Sequence, residues 1–211
     1  MKAKPILFST DMVQAILENR KSMTRRIIKP QPADDISIDK SFKNHTMFRS
    51  SLKHDYGSST VHPPKYQVGD ILYVRETWNT TDDCGLFPPW KSTGTHYMYK
   101  ADAPDSEAAK TAKWRPSIFM PKEAARIFLR VTDVRVERVN NITVPDCEAE
   151  GVTVPFCTRE NFVKLWNSIN EKRGYGWDVN PWVWIYEFEV IDPTLKAAAD
   201  RADAPLLQSA T

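Results

Sequence analysis

Glycine is scarce in this chain, with seven in 211 residues. None falls in a GxGxxG, GxxxxGK[ST] or GxSxG pattern, which excludes glycine-rich phosphate loops and the strained nucleophile elbow of serine hydrolases. Cysteine is scarcer still. Cys84, Cys147 and Cys157 form neither a CxxC pair nor a disulfide framework, and they suit a reducing cytoplasm. The four histidines (His45, His54, His62 and His96) make no HxH or HExxH pattern, and a zinc site would need distant pairing with cysteine. The expectation is therefore no metal and no cofactor. Long apolar runs are missing as well. Stretches such as residues 181–185 (PWVWI) fall far short of the about 20 residues of a membrane-spanning helix. The opening MKAKPILFST has too short an apolar stretch for a signal peptide and no small-residue cleavage site. A cytoplasmic location without a membrane partner follows as an expectation; oligomeric state is not readable.

What is present suits a folded domain. Hydrophobic residues are 41% and charged residues 27%, enough apolar material for a core at this length. The net charge is only +2, so distribution says more than total. Residues 20–29 (RKSMTRRIIK) hold five cations and no acid. Such a patch attracts anions, although cations also protect an ordinary edge strand.

Local patterns outline the elements. Ser9 or Thr10 caps a helix with Met12, Val13, Ile16 and Leu17 on one face, ending near Asn19–Arg20. Residues 22–28 read as a strand stopped by Pro30. Residues 30–67 are rich in Pro, Ser and Lys and read as a long surface insertion without a core element. A strand follows over 71–78, a second insertion over 79–113 with a short strand near 97–100, and one helical turn at 122–125. Residues 126–139 form a long strand whose apolar parity changes near Thr132–Asp133, which predicts a bulge. Thr143 caps a helix with Pro145 in its first turn and Gly151 as its stop. Thr158 caps another, with Phe162, Leu165, Trp166 and Ile169 on one face, and residues 182–191 make the last strand. Residues 193–211 read as a flexible tail. Five or six strands and three helices without regular alternation predict an α+β fold. The expected form is a small, partly closed β-barrel, as one domain over residues 1–192.

The stretch Arg20-Lys21-Ser22-Met23-Thr24-Arg25-Arg26 resembles the signature of the ASCH domain, a branch of the PUA-like superfamily. Further segments resemble the family in order: residues 68–76 (VGDILYVRE), residues 131–139, Asp146-Cys147-Glu148-Ala149-Glu150-Gly151 and residues 182–190. Together they cover about half the chain. Residues 75–78 (RETW) and 114–121 (WRPSIFMP) resemble a longer subgroup common in bacteriophages and prophages. The resemblance implies a PUA-like mixed β-barrel with a cleft suited to RNA or a single nucleotide. A branch of the family, the N(4)-acetylcytidine amidohydrolases, uses Lys, Thr and Glu. Carried across, these fall on Lys21, Thr24 and Glu150, with Glu148 as a substitute for the last.

The residues read by themselves are compatible with this. Thr24 and Arg26 share one strand parity, with Lys21 at the helix–strand junction. A hydroxyl, an ammonium and a guanidinium converging on a cleft suit a phosphate or a carbonyl under attack. A lysine acts as general base only when burial or neighbouring cations lower its pKa, and Arg20, Arg25 and Arg26 would supply the cations. Glu150 would shuttle or orient a proton. The alternatives are a helix-end lysine, an ordinary strand threonine and a glutamate capping its own helix. Seven tryptophans give base-stacking candidates, with Trp78 and Trp114 flanking the insertions as ligand contacts and Trp182 or Trp184 in the core. Arg75 and Glu76 complete the candidate ligand set. Binding of RNA or a modified nucleoside is the first expectation. A metal-independent amidohydrolase or ribonuclease is the second, and a phage accessory protein that uses the fold as a scaffold is the third.

Overall fold

The computed structural model describes residues 3–32, 36–39, 47–51, 59–80, 96–102, 105–152 and 158–191. The predicted tail over 193–211, Cys84, Cys157, His45 and His54 lie outside them.

Among the described residues the strands are β1 (Lys4–Leu7), β2 (Met23–Ile27), β3 (Ile36–Asp39), β4 (Met47–Ser51), β5 (Ser59–His62), β6 (Ile71–Arg75), β7 (Trp78–Thr80), β8 (Tyr97–Tyr99), β9 (Phe128–Arg138) and β10 (Trp182–Ile191). The α-helices are α1 (Thr10–Leu17), α2 (Glu107–Thr111), α3 (Val144–Ala149) and α4 (Arg159–Asn170). The fold is α+β. Its main sheet has five strands in the order β1-β6-β9-β10-β2, with β1 parallel to β6 and β2 antiparallel to β10. The expected barrel is not closed. Among the described residues β1 and β2 are the two edges of this sheet and do not pair with each other.

Residues 36–62, expected to hold no regular element, carry a three-stranded antiparallel sheet in the order β3-β4-β5. Strands β7 and β8 pair as a two-stranded ribbon.

By proximity the chain divides into two compact units. The first comprises Met1–Gln14, Asp70–Arg130 and Val190–Thr211, and the second Ala15–Gly69 and Val131–Glu189. Among the described residues of the first unit, where Ile6, Leu72, Val74 and Leu129 are also buried, two small clusters stand out. One is Ala3, Tyr73, Phe128 and Ile191; the other is Trp78, Met120 and Ala124. The second unit has a larger one, in which Phe162 and Trp166 of α4 pack on Met23, Val183 and Ile185 of the sheet.

Local chemistry explains the ends of the elements. The Ser9 carbonyl accepts the Val13 N–H at 2.9 Å, opening α1 where a hydroxyl residue was expected. Thr143 and Asp146 form a reciprocal capping box on α3, with Pro145 in the first turn. The Thr158 hydroxyl accepts the Asn161 N–H at the start of α4. In β9, Thr132 and Asp133 are both exposed, and buried positions resume at Val134, which is the expected parity change. Two expectations give way. Ile169 is exposed and Asn170 is buried in its place on α4. Strand β10 is buried on both faces, with Val183, Trp184, Ile185 and Tyr186 all at 5% exposure or less, because α4 packs on the Val183 and Ile185 side and Tyr66 on Tyr186 of the other.

Candidate functional site

The helix–strand junction at Lys21 is built by three turns of backbone. After α1, Asn19 takes a left-handed φ of 57°, and the N–H groups of Arg20 and Lys21 both donate to the Ala15 carbonyl. Lys21 then forms an isolated antiparallel bridge with Glu150, and the Ser22 N–H donates to the Ala149 carbonyl at 2.9 Å. Gly151 permits the approach. Its φ is +78°, and a Cβ there would lie 2.7 Å from the Ala15 Cβ and 3.0 Å from the Lys21 Cβ.

The Lys21 side chain is wholly buried. Its Nζ donates to the Met23 carbonyl at 2.7 Å, to the Glu150 carbonyl at 2.7 Å and to Glu150 Oε2 at 2.8 Å. An ammonium has three N–H bonds, and these three acceptors match them. Glu150 Oε1 accepts from Arg25 Nη1 at 3.3 Å, and Arg25 Nη2 donates to Asp146 Oδ2 at 2.9 Å. The Arg25 guanidinium also lies 5.9 Å from the Phe162 ring centroid. Two cations and two carboxylates thus form one chain of ion pairs, buried at Lys21, Arg25 and Glu150 and half-buried at Asp146, which Arg135 also reaches at 3.7 Å. Burial lowers the Lys21 pKa; Glu150 opposes the shift, and Arg26 and Arg25 add to it. Burial alone would raise the Asp146 pKa, but the Thr143 N–H and Arg25 outweigh it and hold it low.

The opposite face of β2 differs. Thr24 pairs with Tyr186 and Arg26 with Trp184, whereas Arg25 pairs with Ile185 on the core side. Tyr66 meets Tyr186 edge-on at 5.1 Å, and Trp184 stacks toward Tyr186 at 6.5 Å and 29°. The Tyr186 hydroxyl accepts the Lys65 N–H at 3.1 Å, and burial pushes its pKa up. Arg26 is half-buried. Burial pulls its pKa down, against Tyr66, Glu150 and Tyr186. This face therefore holds a hydroxyl, a guanidinium and three aromatic rings.

Lys21 and Glu150 meet, as the Lys–Thr–Glu set requires. Thr24 is buried nearby in the chain, but its hydroxyl is not among the acceptors of the Lys21 ammonium. Arg20 leaves the cluster and pairs with Glu18, with a 3.5 Å bond to the Gly151 carbonyl. Glu148 is exposed and Glu150 buried, so the substitution of one for the other does not arise.

The remaining candidates belong to the first unit. Arg75 Nη1 donates to the Ile118 carbonyl at 3.1 Å, and its guanidinium lies 5.7 Å from the Tyr73 ring centroid. Glu76, 1% exposed, is gripped by the Arg126 fork at 2.9 and 3.0 Å. Arg126 also reaches Asp102 at 2.6 Å and covers the Tyr99 ring at 3.9 Å. Burial raises the Glu76 pKa, with Arg126 opposing. Trp78, expected beside a ligand, is 4% exposed and packs on Met120 and Ala124, with Arg115 5.2 Å from its ring centroid. Trp114 is half-buried.

The sequence reading left out Tyr66, Tyr186 and Asp146 as partners of the site. The strand parity of residues 182–188 carried a signal for Tyr186. Nothing local pointed to Tyr66 or Asp146. Among the described residues no group of three or more His, Cys, Asp or Glu is placed to hold a metal ion, and no helix is long and apolar enough to cross a membrane. No protein-family model, curated protein or solved structure matches the chain.

Proposed function

We propose that the chain is an ASCH-like module of the PUA-like superfamily that binds a nucleoside, free or within RNA, at the β2–β10 face carrying Thr24 and Arg26. The observation that supports this most is the register: Arg26 opposite Trp184 and Thr24 opposite Tyr186, with Tyr66 against Tyr186. The half-buried Arg26 guanidinium fork matches base edges and phosphates, and the buried Thr24, Tyr66, Trp184 and Tyr186 form the support on which it is held. Behind this face the Lys21–Glu150–Arg25–Asp146 network fixes β2. The test is calorimetric titration of cytidine, N4-acetylcytidine and cytidine monophosphate into wild type, Arg26→Met and Thr24→Val. Arg26→Met is expected to weaken binding about tenfold or more, as for a lost charge-assisted hydrogen bond. Arg26→Lys separates charge from fork geometry, with cytidine monophosphate retained better than cytidine. Full affinity in Arg26→Met, with its fold intact by circular dichroism, would overturn the reading.

A second reading is hydrolysis of an acylated cytidine or of RNA, and one observation favours it. Lys21 is a lysine with a lowered pKa at 2.8 Å from a carboxylate, the pairing from which a neutral amine can take a proton. For this, the amine must exchange one of its present acceptors for the reacting group. Acetate release from N4-acetylcytidine, or cleavage of single-stranded RNA, tests it. Turnover by wild type and its loss in Thr24→Val with the fold retained are expected. Absence of both products from the wild type rules it out.

A further inference from the structure

The first unit carries an apolar tip that neither candidate site uses. Residues 117–119 form a single 3-10 turn between Pro116 and Pro121, with Ile118 58% and Phe119 70% exposed. Two large apolar side chains in succession facing water are unfavourable unless something covers them. The turn is not loose. The Phe119 N–H donates to the Pro116 carbonyl at 3.0 Å and the Met120 N–H to the Ser117 carbonyl at 3.1 Å. Met120 beside it is fully buried, and its sulfur accepts the Glu76 N–H at 3.2 Å. On the other side the Arg115 and Trp78 backbones exchange two hydrogen bonds, of 2.8 and 3.3 Å. The Arg75 guanidinium holds the Ile118 carbonyl from below. The Phe119 ring is thus presented on a braced support, so little ordering entropy remains to be lost when it is covered.

Charge indicates what covers it. Residues 110–122 (KTAKWRPSIFMPK) contain four cations and no acid, and the next acid is Glu123. Lys113, Arg115 and Lys122 are exposed on the segments that bracket the tip. An apolar tip of two residues is far smaller than the core of a stable protein interface. An aromatic ring among cations is what single-stranded nucleic acid needs: a face for a base and charges for its phosphates.

We infer that the Ile118–Phe119 turn is a second contact for single-stranded nucleic acid, in which Phe119 stacks on or wedges against a base while Lys113, Arg115 and Lys122 hold the flanking phosphates. This builds on the nucleic-acid reading of the β2–β10 face for its ligand class, but its residues are separate. The test uses the full chain and a fluorescein-labelled twelve-residue oligouridylate, read by anisotropy across a salt series, alongside cytidine calorimetry. Phe119→Ala is expected to weaken oligouridylate binding about tenfold, the size of one lost stacking contact, and to leave cytidine affinity unchanged. Phe119→Trp retains binding. Lys113→Gln with Lys122→Gln flattens the slope of log affinity against log salt by about 1.4, as for two lost phosphate contacts on a single strand. Wild-type affinity in Phe119→Ala overturns the inference, as does wild-type protein that fails to bind the oligonucleotide. A switch in sedimentation from dimer to monomer in Phe119→Ala, with RNA affinity unchanged, overturns it in favour of a contact between copies. If Arg26→Met leaves cytidine binding intact while Phe119→Ala still loses RNA, the β2–β10 reading fails and this one stands.

Discussion

Glu150 and Glu76 are both carboxylates withdrawn from water, one in each unit, and their cations are treated differently. The partners of Glu150 are Lys21 and Arg25, whose side chains are 0% and 1% exposed. The partner of Glu76 is Arg126, whose side chain is 28% exposed and continues to Asp102, itself 53% exposed. The first arrangement is closed around Lys21, whose partner Glu150 is itself buried, although Arg25 leads on to the half-buried Asp146, which Arg135 also reaches at 3.7 Å. The second is graded, because the guanidinium leads from the interior to solvent. Desolvation is the dominant cost of a buried ion pair, and Lys21, unlike Arg126, has no exposed edge through which to recover hydration when its partner is lost. The closed network lies behind Thr24 and Arg26 and holds the strand that carries them. The graded one ties β6 to the segment before β9, the wall from which the Ile118–Phe119 turn is supported.

The contrast is broken most directly at Glu150. Glu150→Ala strands the wholly buried Lys21 ammonium, while Arg25 keeps Asp146, and is expected to cost about 3–5 kcal/mol in urea unfolding. The double variant Lys21→Met with Glu150→Leu replaces much of the network by apolar contact and is expected to recover part of that loss. A loss below about 1 kcal/mol in the single variant would mean that the Lys21 ammonium reaches water after all. At Glu76 the corresponding change is smaller. In Glu76→Leu, Arg126 keeps Asp102 and its exposed edge, and the expected loss is about 1–3 kcal/mol, the range for a broken hydrogen-bonded group. Equal losses at the two sites would erase the distinction between closed and graded networks.

The two networks also differ in how far the sequence revealed them. The Lys21–Glu150 side was legible because its determinants are local. Thr143, Pro145 and Gly151 mark the ends of α3, and strand parity places Thr24 with Arg26. What brings Glu150 to Lys21 is a Gly151 whose missing Cβ admits Ala15 and Lys21, and a Glu-Gly pattern indicates that only weakly. The Glu76 side was misread. An Arg-Glu-Thr-Trp run looks like a ligand surface until Arg126, fifty residues on, takes the carboxylate and Met120 and Ala124 cover the ring. Pairings between distant strands were equally hidden. Composition does not record whether β1 and β2 meet, so the expected barrel and the observed open sheet share one local pattern. In residues 36–62 the high Ser and Lys content masked the short alternations of β3, β4 and β5. The buried second face of β10 follows from Tyr66, far earlier in the chain, packing on Tyr186, which periodicity does not report.

The smallest effect sharpens the comparison through proton linkage, since Glu76 and Asp146 are shifted in opposite directions. Glu76 has a raised pKa in the folded state. The folded chain therefore binds this proton more tightly than the unfolded chain does, and stability attributable to Glu76 falls as pH climbs from the ordinary glutamate value through the raised one. Asp146 has a lowered pKa. Its contribution is present above the ordinary aspartate value and is lost as pH falls through the depressed one. Urea midpoints measured between about pH 3 and pH 6 should separate them. The stability of wild type relative to Glu76→Gln falls as pH rises, whereas that of wild type relative to Asp146→Asn rises from the acid side and then levels. Arg126 remains beside position 76 and Arg25 beside position 146 in these variants, so the sign of each slope reports the carboxylate alone. Two slopes of the same sign would show that Asp146 is governed by its burial, as Glu76 is, and not by the Thr143 cap and Arg25.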